Sequence, residues 1–299
     1  MRLTTVVSLT ALSLACVTAP AAADTRAITE KMTSSSEVMV VAHRACWNNA
    51  PENSIAAIEA CVRLGVDMIE LDVRNTADGA LVLLHDVTLD RTTTATGPLS
   101  ALTLEQVRSL RLKDGAGGAD AALTEQTIPT LEEALLAARG KVMVNLDLKV
   151  ENEGEVMALL ERLGMADQVL MKLAARPDDA RMVNAPFLGR THFMPILGEC
   201  KDGGRPPCPR VLQAPLSAYD RYQPVAYEIS FLGDRQFLQG VIASPRLPGT
   251  RIWVNILGED DRLGLSDPDG VWGALIRDGV TMLQTDEPEA VMRYLGRHP

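Results

Sequence analysis

Residues 41–93 have the sequence VAHRACWNNAPENSIAAIEACVRLGVDMIELDVRNTADGALVLLHDVTLDRTT, and this stretch decides the fold. It leaves an apolar strand at His43, crosses a loop, forms an amphipathic helix with Asn53 as the predicted N-cap, and enters a second strand, MIELDVR. A strand, a helix and a second strand in this order form a βαβ unit with parallel strands. That second strand is mostly apolar yet contains Glu70 and Asp72, and charged residues at the ends of such strands are typical of a functional site.

The geometry of the second strand brings two carboxylates to one face. Side chains alternate between the faces of a strand, so Glu70 and Asp72 point the same way. The Asp78-Gly79 dipeptide favours a two-residue type I′ turn, because both turn positions need a positive φ. Counting outwards from that turn predicts that Asp72 lies directly opposite His85, with Cβ atoms about 4.5 to 5.5 Å apart.

Two carboxylates on one face of a strand need a physical explanation. A single acid at a strand end is usually a solvated charge, and that reading would serve for Glu70 or Asp72 alone. Two like charges at close range raise each other's pKa unless a cation compensates them. A bound metal ion explains the pair most simply.

The rest of the chain alternates between strands and helices. Residues of about 87–127 interrupt the alternation as a turn-rich insertion after the hairpin, lying over one end of the fold. No Gly-x-Gly-x-x-Gly or Walker-type loop is present, which argues against a nucleotide-binding doubly wound sheet. The predicted fold class is α/β, a TIM (β/α)8-like barrel over residues 37–298 that follows a flexible lead-in at residues 24–36. Further strands are predicted near residues 141–149, 168–172, 191–196, 225–230, 251–255 and 281–284, and helices near residues 103–110, 130–140, 153–163, 177–184, 234–242, 268–278 and 287–295.

The predicted strand KVMVNLDLK, residues 141–149, adds a third acid. Its valines and leucines face one side, whereas Asp147 and Lys149 face the other. An exposed edge strand would show the same alternation, but this strand lies between two helices in the sequence. The carboxyl ends of parallel barrel strands meet at one mouth, so Asp147 is expected beside Glu70 and Asp72. Three oxygen donors suit a hard cation, and one divalent ion, Mg²⁺ or Ca²⁺, is predicted there.

Two histidines and two basic residues are expected around the same mouth. His43 and His85 have the side-chain type best suited to moving protons at neutral pH. Arg44 and Lys149 are fixed cations that suit phosphate oxygens. A metal ion, two imidazoles and two cations are the groups that phosphoryl transfer requires. His192, near the start of a later strand, is expected to be structural.

Composition limits the partners. The 299 residues are 46% hydrophobic and carry a formal net charge of −10, so neither nucleic acid nor an anionic membrane surface is a natural electrostatic partner. An anionic substrate would need a local cation. The sequence does not predict the oligomeric state.

The first 23 residues are predicted to be a secretory signal peptide. Arg2 precedes an apolar run from Leu3 to Val17, and Ala21-Ala22-Ala23 provides a cleavage site. The run is too short for a membrane anchor. A lipoprotein reading through Cys16 is the weaker alternative, because Ser13 replaces the leucine-like residue of such signals. The expected location is therefore periplasmic or secreted.

Export places the remaining cysteines where disulfides persist. Cys200 and Cys208 flank the Gly/Pro-rich loop KDGGRPP, and a bridge between them is predicted. Cys46 and Cys61 could also pair. The alternative is that both are small buried apolar residues, since Cys61 is predicted to lie inside a helix.

At this point the sequence resembles the glycerophosphodiester phosphodiesterases, a family of phospholipase-C-like barrels. The likeness covers nearly all of the predicted mature chain and is weakest over residues 175–250. The motifs that carry it are HR followed by PEN (His43, Arg44, Pro51, Glu52, Asn53), ELDV (Glu70, Asp72), the DG turn and HD (Asp78, Gly79, His85, Asp86), LDRTT, IPTLEE, NLDLK, WVN (Trp253, Asn255) and QTDEP (Thr285, Asp286, Pro288).

The resemblance implies an activity and a set of roles. Members split a glycerophosphodiester into glycerol phosphate and an alcohol, with attack by the substrate's own glycerol hydroxyl. The residues matching His43 and His85 would act as general acid and base. By the same likeness, the acids Glu70, Asp72 and Asp147 would hold the cation, and Arg44, Lys149, Glu52 and Trp253 would contact the substrate or its phosphate.

Two departures from the family pattern stand out. The family usually has glycine after His-Arg, whereas Ala45 follows Arg44 here. The third acid is commonly glutamate, and Asp147 is one methylene shorter, so it must approach the ion more closely or bind it through water. Either change could accompany a different head group.

Two rival functions remain open. A phospholipase-like enzyme could use the same barrel on an intact lipid or a polymer phosphodiester. A periplasmic protein could instead capture phosphodiesters without turnover. The predicted partner in the leading reading is a small glycerophosphodiester, with no stable insertion into a membrane, since no basic amphipathic helix is evident.

Overall fold

The computed structural model describes residues 26–34, 37–150 and 152–297. The predicted signal peptide, residues 1–23, lies outside the described residues. Within the described residues, no helix combines the length and apolar character needed to cross a membrane.

Eight parallel strands form a closed barrel. Strands β1, β2, β6, β7, β8, β11, β12 and β13 pair in sequence order, and β1 closes the circle by pairing with both β13 and β2. The antiparallel strand β3 extends the sheet beside β2. The predicted TIM-like barrel is therefore confirmed. The strands are β1 Met39–Ala42, β2 Met68–Asn75, β3 Leu81–Leu83, β4 Arg111–Lys113, β5 Leu123–Thr127, β6 Met143–Leu148, β7 Val169–Leu173, β8 His192–Leu197, β9 Glu199–Cys200, β10 Arg210–Val211, β11 Ala226–Ile229, β12 Arg251–Asn255 and β13 Met282–Thr285.

Helices cover the outside of the barrel. Helix α4 begins at a capping box formed by Thr130 and Glu133. Helix α2 is capped by Ser54 instead of the predicted Asn53, because Asn53 adopts a positive φ of 56° and turns its amide towards β2. The helices are α1 Arg26–Ser34, α2 Ile55–Leu64, α3 Leu104–Arg108, α4 Leu131–Ala138, α5 Glu153–Leu163, α6 Ala180–Val183, α7 Arg235–Ile242, α8 Glu259–Ser266, α9 Ala274–Asp278 and α10 Pro288–Tyr294.

Two apolar regions stabilise the barrel from either side of the sheet. Branched and aromatic residues fill the space between strands and helices. Inside the barrel, a second cluster closes the amino-terminal end, so the barrel is a packed core there. This inner cluster includes Met39, Val41, Met68, Met143, Leu170, Met194, Ala226, Trp253 and Met282.

The lead-in that was predicted to be flexible contains a helix. Helix α1 lies beneath the barrel, where Met32 is buried in the inner cluster. Arg251, at the start of β12, donates through its guanidinium to the carbonyl oxygens of Met32 and Lys31. The sequence analysis did not identify this helix, because its anchors come from residues far away in the sequence.

The hairpin after β2 has a register one residue away from the predicted one. Val73 pairs with Leu83, and the amide of Leu84 donates to the carbonyl of Asp72, so Leu84 and not His85 lies opposite Asp72. Residues 76–80 connect the strands, and only Gly79 among them has a positive φ, of 83°. A type I′ turn needs two such residues, which excludes the predicted turn.

The insertion of about residues 87–127 has a small core of its own. Strands β4 and β5 form a separate two-stranded sheet, and α3 packs nearby. Seven residues form the core and join the insertion to the hairpin: Val82, Leu84, Leu89, Leu99, Val107, Leu112 and Ile128.

Both cysteine pairs form disulfides. Cys200–Cys208 is confirmed, with Cα atoms 5.4 Å apart. Cys46 and Cys61 also bond, with Cα atoms 5.3 Å apart and both side chains buried. Cys61 faces inwards from α2, so this bridge fastens the loop after β1 to the helix that follows it.

We expect the Cys46–Cys61 bridge to contribute measurably to stability. Replacing both cysteines by alanine should lower the free energy of unfolding by about 3 kcal/mol, because the bridge closes a loop of about 15 residues. Urea unfolding measures the change. The matched control replaces Cys200 and Cys208, whose exposed loop is shorter, and should cost less. An equal or smaller loss for the Cys46 and Cys61 variant would contradict the prediction.

Candidate active site

The carboxyl ends of the barrel strands bring the predicted polar residues to one mouth. His43 directly follows β1, Glu70 and Asp72 lie within β2, and Asp147 lies in β6. In the β2–β6 register, Asp72 stands beside Asp147. Parallel strands with a common direction therefore bring together acids that are 75 residues apart in the chain.

The three acids form a group that could hold a metal ion. One carboxylate oxygen from each of Glu70, Asp72 and Asp147 lies within 4.8 Å of the others. All three donors are hard oxygen atoms, as Mg²⁺ and Ca²⁺ prefer. The shorter side chain of Asp147 still reaches the cluster.

The burial of these acids has an electrostatic cost. Glu70 is 2% exposed, and burial, followed by the neighbouring charge of Asp72, raises the pKa of Glu70 to about 7. A divalent ion among the three acids would oppose both causes. The donor set and its charge therefore fit a cation.

Two lysines already compensate part of the negative charge. Lys149 Nζ lies 2.8 Å from Asp72 Oδ1 and 2.6 Å from Asp147 Oδ2. Lys172 Nζ lies 3.8 Å from Glu70 Oε1 and 3.9 Å from Glu228 Oε2. Burial opposes its charge, but the carboxylates, Glu228 first, raise the pKa of Lys172 overall.

Lys172 and Glu228 were not predicted from the sequence. The strand registers place both in one inward-facing ring with Glu70 and Gln284, contributed by alternate strands. Such rings are normally filled by apolar side chains. A lysine in the apolar strand VLMKL and a glutamate in VAYEI were the sequence features that could have identified them.

His43 is held by a carboxylate that directly follows the last barrel strand. Its Nδ1 lies 2.7 Å from Asp286 Oδ1, which also accepts a hydrogen bond from Trp47 Nε1 at 2.9 Å. Burial opposes ionisation of Asp286, but the hydrogen bond with His43 helps to lower its pKa overall. With Nδ1 so engaged, Nε2 is the nitrogen left to exchange protons with a bound molecule.

Asp261, on α8, stabilises the backbone that carries Asp286. Its side chain accepts hydrogen bonds from Thr285 Oγ1 and from the backbone amide of Asp286, each at 2.6 Å. Burial raises the pKa of Asp261 to about 7. The residue thus fixes the loop that presents Asp286 to His43.

His85 has a carboxylate partner of a different kind. Its Nδ1 lies 2.6 Å from Asp86 Oδ1, and Asp86 is held in turn by Arg91. Arg74 donates twice to the carbonyl oxygen of His85. The register shift therefore does not remove His85 from the mouth, because Arg74 on β2 holds its backbone there.

The loop after β1 wraps around Glu70. Arg44 and Ala45 both have a positive φ, of 52° and 63°, which directs the Arg44 amide to Glu70 Oε2 at 3.0 Å and the Ala45 amide to the Glu70 carbonyl. Glycine adopts such angles most easily, and alanine does so at a cost of about 1 kcal/mol. The turn therefore directs both amides to Glu70 although neither residue is glycine.

Two residues predicted to contact the substrate have other surroundings. Trp253 is fully buried in the inner cluster and donates from Nε1 to Asn255, so it offers no surface to a ligand, and that prediction is wrong. Glu52 is 3% exposed and accepts hydrogen bonds from Arg44 and Arg91. Asn53, expected to cap a helix, donates to Asp72 Oδ2.

His192 has the structural surroundings that were expected. Its Nε2 lies 3.0 Å from the carbonyl oxygen of Asp167, away from the mouth. Burial lowers the pKa of His192. The fourth histidine of the chain lies outside the described residues.

Comparison with known proteins agrees with the geometry. A model of the glycerophosphoryl diester phosphodiesterase family matches residues 43–185, and a model of a domain of unknown function matches residues 206–295. A glycerophosphodiester phosphodiesterase from Caldanaerobacter subterraneus is 40% identical over 114 residues, which are 38% of this chain and 46% of the relative. The chain therefore spans less than half the length of this curated relative.

Solved structures match over most of the chain. The crystal structure of a glycerophosphodiester phosphodiesterase from Agrobacterium tumefaciens is 25% identical with a TM-score of 0.64, covering 86% of this chain and 99% of that one. A phosphodiesterase from Oleispira antarctica, solved in complex with the product sn-glycerol-3-phosphate, is 19% identical with a TM-score of 0.61, covering 86% and 96%. Residues 43–185 therefore match the glycerophosphoryl diester phosphodiesterase family model, and the chain is similar to these enzymes in sequence and in fold.

Proposed function

We propose that this chain hydrolyses a glycerophosphodiester to glycerol phosphate and an alcohol. The observation that carries the proposal is the pair of imidazoles, each fixed through Nδ1 by its own aspartate, at a mouth that holds three clustered acids. The family match and the named relatives support the same activity. The product bound in the Oleispira enzyme supports glycerol phosphate as the released group.

Each residue at the mouth has a part in the proposed mechanism. His43 and His85 exchange protons through Nε2 with the attacking glycerol hydroxyl and the leaving alcohol oxygen. Asp286 and Asp86 hold the two rings in the tautomer that leaves Nε2 available. In the first step the glycerol hydroxyl attacks phosphorus and expels the alcohol, which forms a cyclic phosphate. One histidine acts as base and the other as acid in this step, and their roles reverse when water opens the cyclic phosphate to glycerol phosphate.

The phosphate lies among fixed cations in this proposal. Arg44 and Lys149 are at the mouth, and Arg44 Nε is a buried donor that has no hydrogen-bond partner among the described residues. A phosphate oxygen could accept that hydrogen bond. Glu52 fixes the guanidinium by accepting from Arg44 Nη1 at 3.0 Å.

Glu70, Asp72 and Asp147 would hold one divalent cation, Mg²⁺ or Ca²⁺. When bound, such an ion neutralises negative charge that develops on the phosphate in the transition state. Asn53 and Lys149 keep Asp72 in place. Lys172 does the same for Glu70 from the opposite side.

The rival functions have less support. A protein that only captured phosphodiesters would not need two imidazoles fixed for proton transfer, whereas both are fixed here. A phospholipase-like enzyme would need a surface that docks on lipid. The formal net charge of −10 opposes docking on an anionic bilayer.

We also propose that the chain is exported and works in an oxidising compartment. Two disulfides support this location, because such bonds are rare in the cytosol. The predicted signal peptide with cleavage near Ala23 is consistent with it.

Loss of either mouth histidine should abolish most of the activity. We expect His43→Ala and His85→Ala each to lower kcat for glycerophosphocholine by about 100- to 10,000-fold, the usual contribution of a general acid or base. Released glycerol phosphate measures the rate. His192→Ala is the control and should retain the wild-type rate, because its ring bonds to the backbone carbonyl of Asp167, which lies away from the mouth. Full activity in both mouth variants would refute the proposal.

Removal of divalent cations should inactivate the enzyme. EDTA is expected to stop hydrolysis, and Mg²⁺ or Ca²⁺ should restore it. Asp147→Asn should weaken cation binding in a calorimeter by at least about 10-fold, since it removes a charged donor from the cluster. Glu125→Gln, which changes an exposed acid on β5, should bind as the wild type does. Activity unaffected by the chelator would remove the metal assignment.

The physical form of the substrate separates the two enzyme hypotheses. We expect soluble glycerophosphodiesters to be hydrolysed much faster than the same head groups in phospholipid vesicles. The reason is the formal net charge of −10, which does not draw the chain to an anionic membrane. A preference for vesicles would favour the phospholipase-like alternative.

A further inference from the structure

Arg91, in the insertion, contacts Asp86 and Glu52, two residues of the site that lie outside the acid cluster. Its guanidinium donates to Asp86 from Nε at 2.8 Å and from Nη2 at 2.9 Å. It donates to Glu52 from Nη1 at 2.7 Å and from Nη2 at 2.8 Å. One planar group therefore makes two charge-assisted pairs with carboxylates.

These two carboxylates each fix a residue of the proposed mechanism. Asp86 holds the ring of His85, and Glu52 holds the guanidinium of Arg44. Glu52 is almost fully buried, so its negative charge needs a cation nearby. Arg91 is thus the link between the histidine and the phosphate-binding arginine.

A glycine-rich loop, residues 114–118 (DGAGG), holds Arg91 in turn. The carbonyl of Ala116 accepts from Arg91 Nη1 at 2.5 Å, and the amide of Gly118 donates to the carbonyl of Arg91 at 2.7 Å. The carbonyl of Gly115 accepts from the amide of Glu52 at 2.9 Å.

Gly117 is the position where the loop 114–118 approaches the backbone of Arg91 most closely. A Cβ there would lie 2.4 Å from the carbonyl oxygen of Arg91, and its φ is +70°. Alanine at this position would force the backbone of Arg91 or the loop itself to move. Gly117 thus allows the loop to lie against Arg91.

We propose that Arg91, held by the loop 114–118, is a positioning residue that fixes His85 and Arg44 relative to each other. The inference rests on the proposed function and adds a role for the insertion in the reaction. The alternative is a purely structural role, in which Arg91 only attaches the insertion to the barrel. If Arg91 is a positioning residue, its replacement changes catalysis. If it only attaches the insertion, its replacement changes folding.

The first test replaces the guanidinium. Arg91→Ala should lower kcat by about 10- to 100-fold, the usual effect of misplacing a reacting group, while KM changes less. Guanidinium ion at millimolar concentration should restore part of the lost kcat. Arg91→Lys should recover only part as well, since one ammonium cannot form both forked pairs. Arg108→Ala is the control and should match the wild type, because Arg108 forms an exposed pair with Glu133.

The second test changes the support and leaves every charge in place. Gly117→Ala should lower kcat in the same way as Arg91→Ala. Gly97→Ala is the matched control, because Gly97 also has a positive φ, of +89°, but has nothing within 4 Å of its Cβ position. Both alanines add similar backbone strain, so the contact with the backbone of Arg91 and Thr92 distinguishes them.

The outcomes separate this inference from the proposed function. A wild type that does not hydrolyse glycerophosphodiesters would refute the proposed function itself. An active wild type with full kcat in folded Arg91→Ala and Gly117→Ala would overturn only the role of Arg91. Loss of activity that follows thermal unfolding in every variant, without rescue by guanidinium, would also overturn it and favour the attachment role.

Discussion

The repulsion among three clustered carboxylates, two of them buried, is the constraint on which the rest of the mouth depends. Glu70, Asp72 and Asp147 lie within 4.8 Å of one another, and water reaches the first two hardly at all. Such a group is stable only with positive charge close by. The protein supplies part of it through Lys149 and Lys172 and leaves the acids able to take a cation.

The two histidines differ in the groups that hold their aspartate partners. Asp286, the aspartate that holds His43, receives hydrogen bonds from two neutral donors, the indole of Trp47 and the backbone amide of Gly258, together with the bond to the ring itself. The aspartate behind His85 is paired with the permanent charge of Arg91. The two imidazoles thus have unequal electrostatic surroundings, which suits the acid and base roles proposed for them.

Tight turns explain how backbone and side chains reach the cluster together. The left-handed Arg44 and Ala45 direct two amides at Glu70, and the left-handed Asn53 brings its amide group to Asp72. These left-handed conformations are strained. The hydrogen bonds to the acid cluster and the Cys46–Cys61 disulfide help to stabilise them. Strained backbone beside a functional site is a recurrent arrangement in proteins.

The fold could be predicted from the sequence because alternation of strands and helices is a local pattern. The same pattern placed Glu70, Asp72 and Asp147 on inward faces, since the side-chain period of a strand is two. The hairpin register could not be predicted, because a two-residue and a three-residue turn fit the same dipeptide and only packing of the insertion against β3 separates them. Helix α1 was missed because its anchors come from β12.

By itself the sequence determined the barrel, the acid cluster and the two histidines, since strand order and strand period fix which residues meet at the mouth. Tertiary structure alone decided the partners that surround them. Lys172 and Glu228 meet because alternate strands share a ring, and Arg91 reaches Glu52 and Asp86 because the insertion folds back over the mouth. Burial likewise removed Trp253 from the site, because the depth of a residue in a barrel depends on the stagger of all the strands.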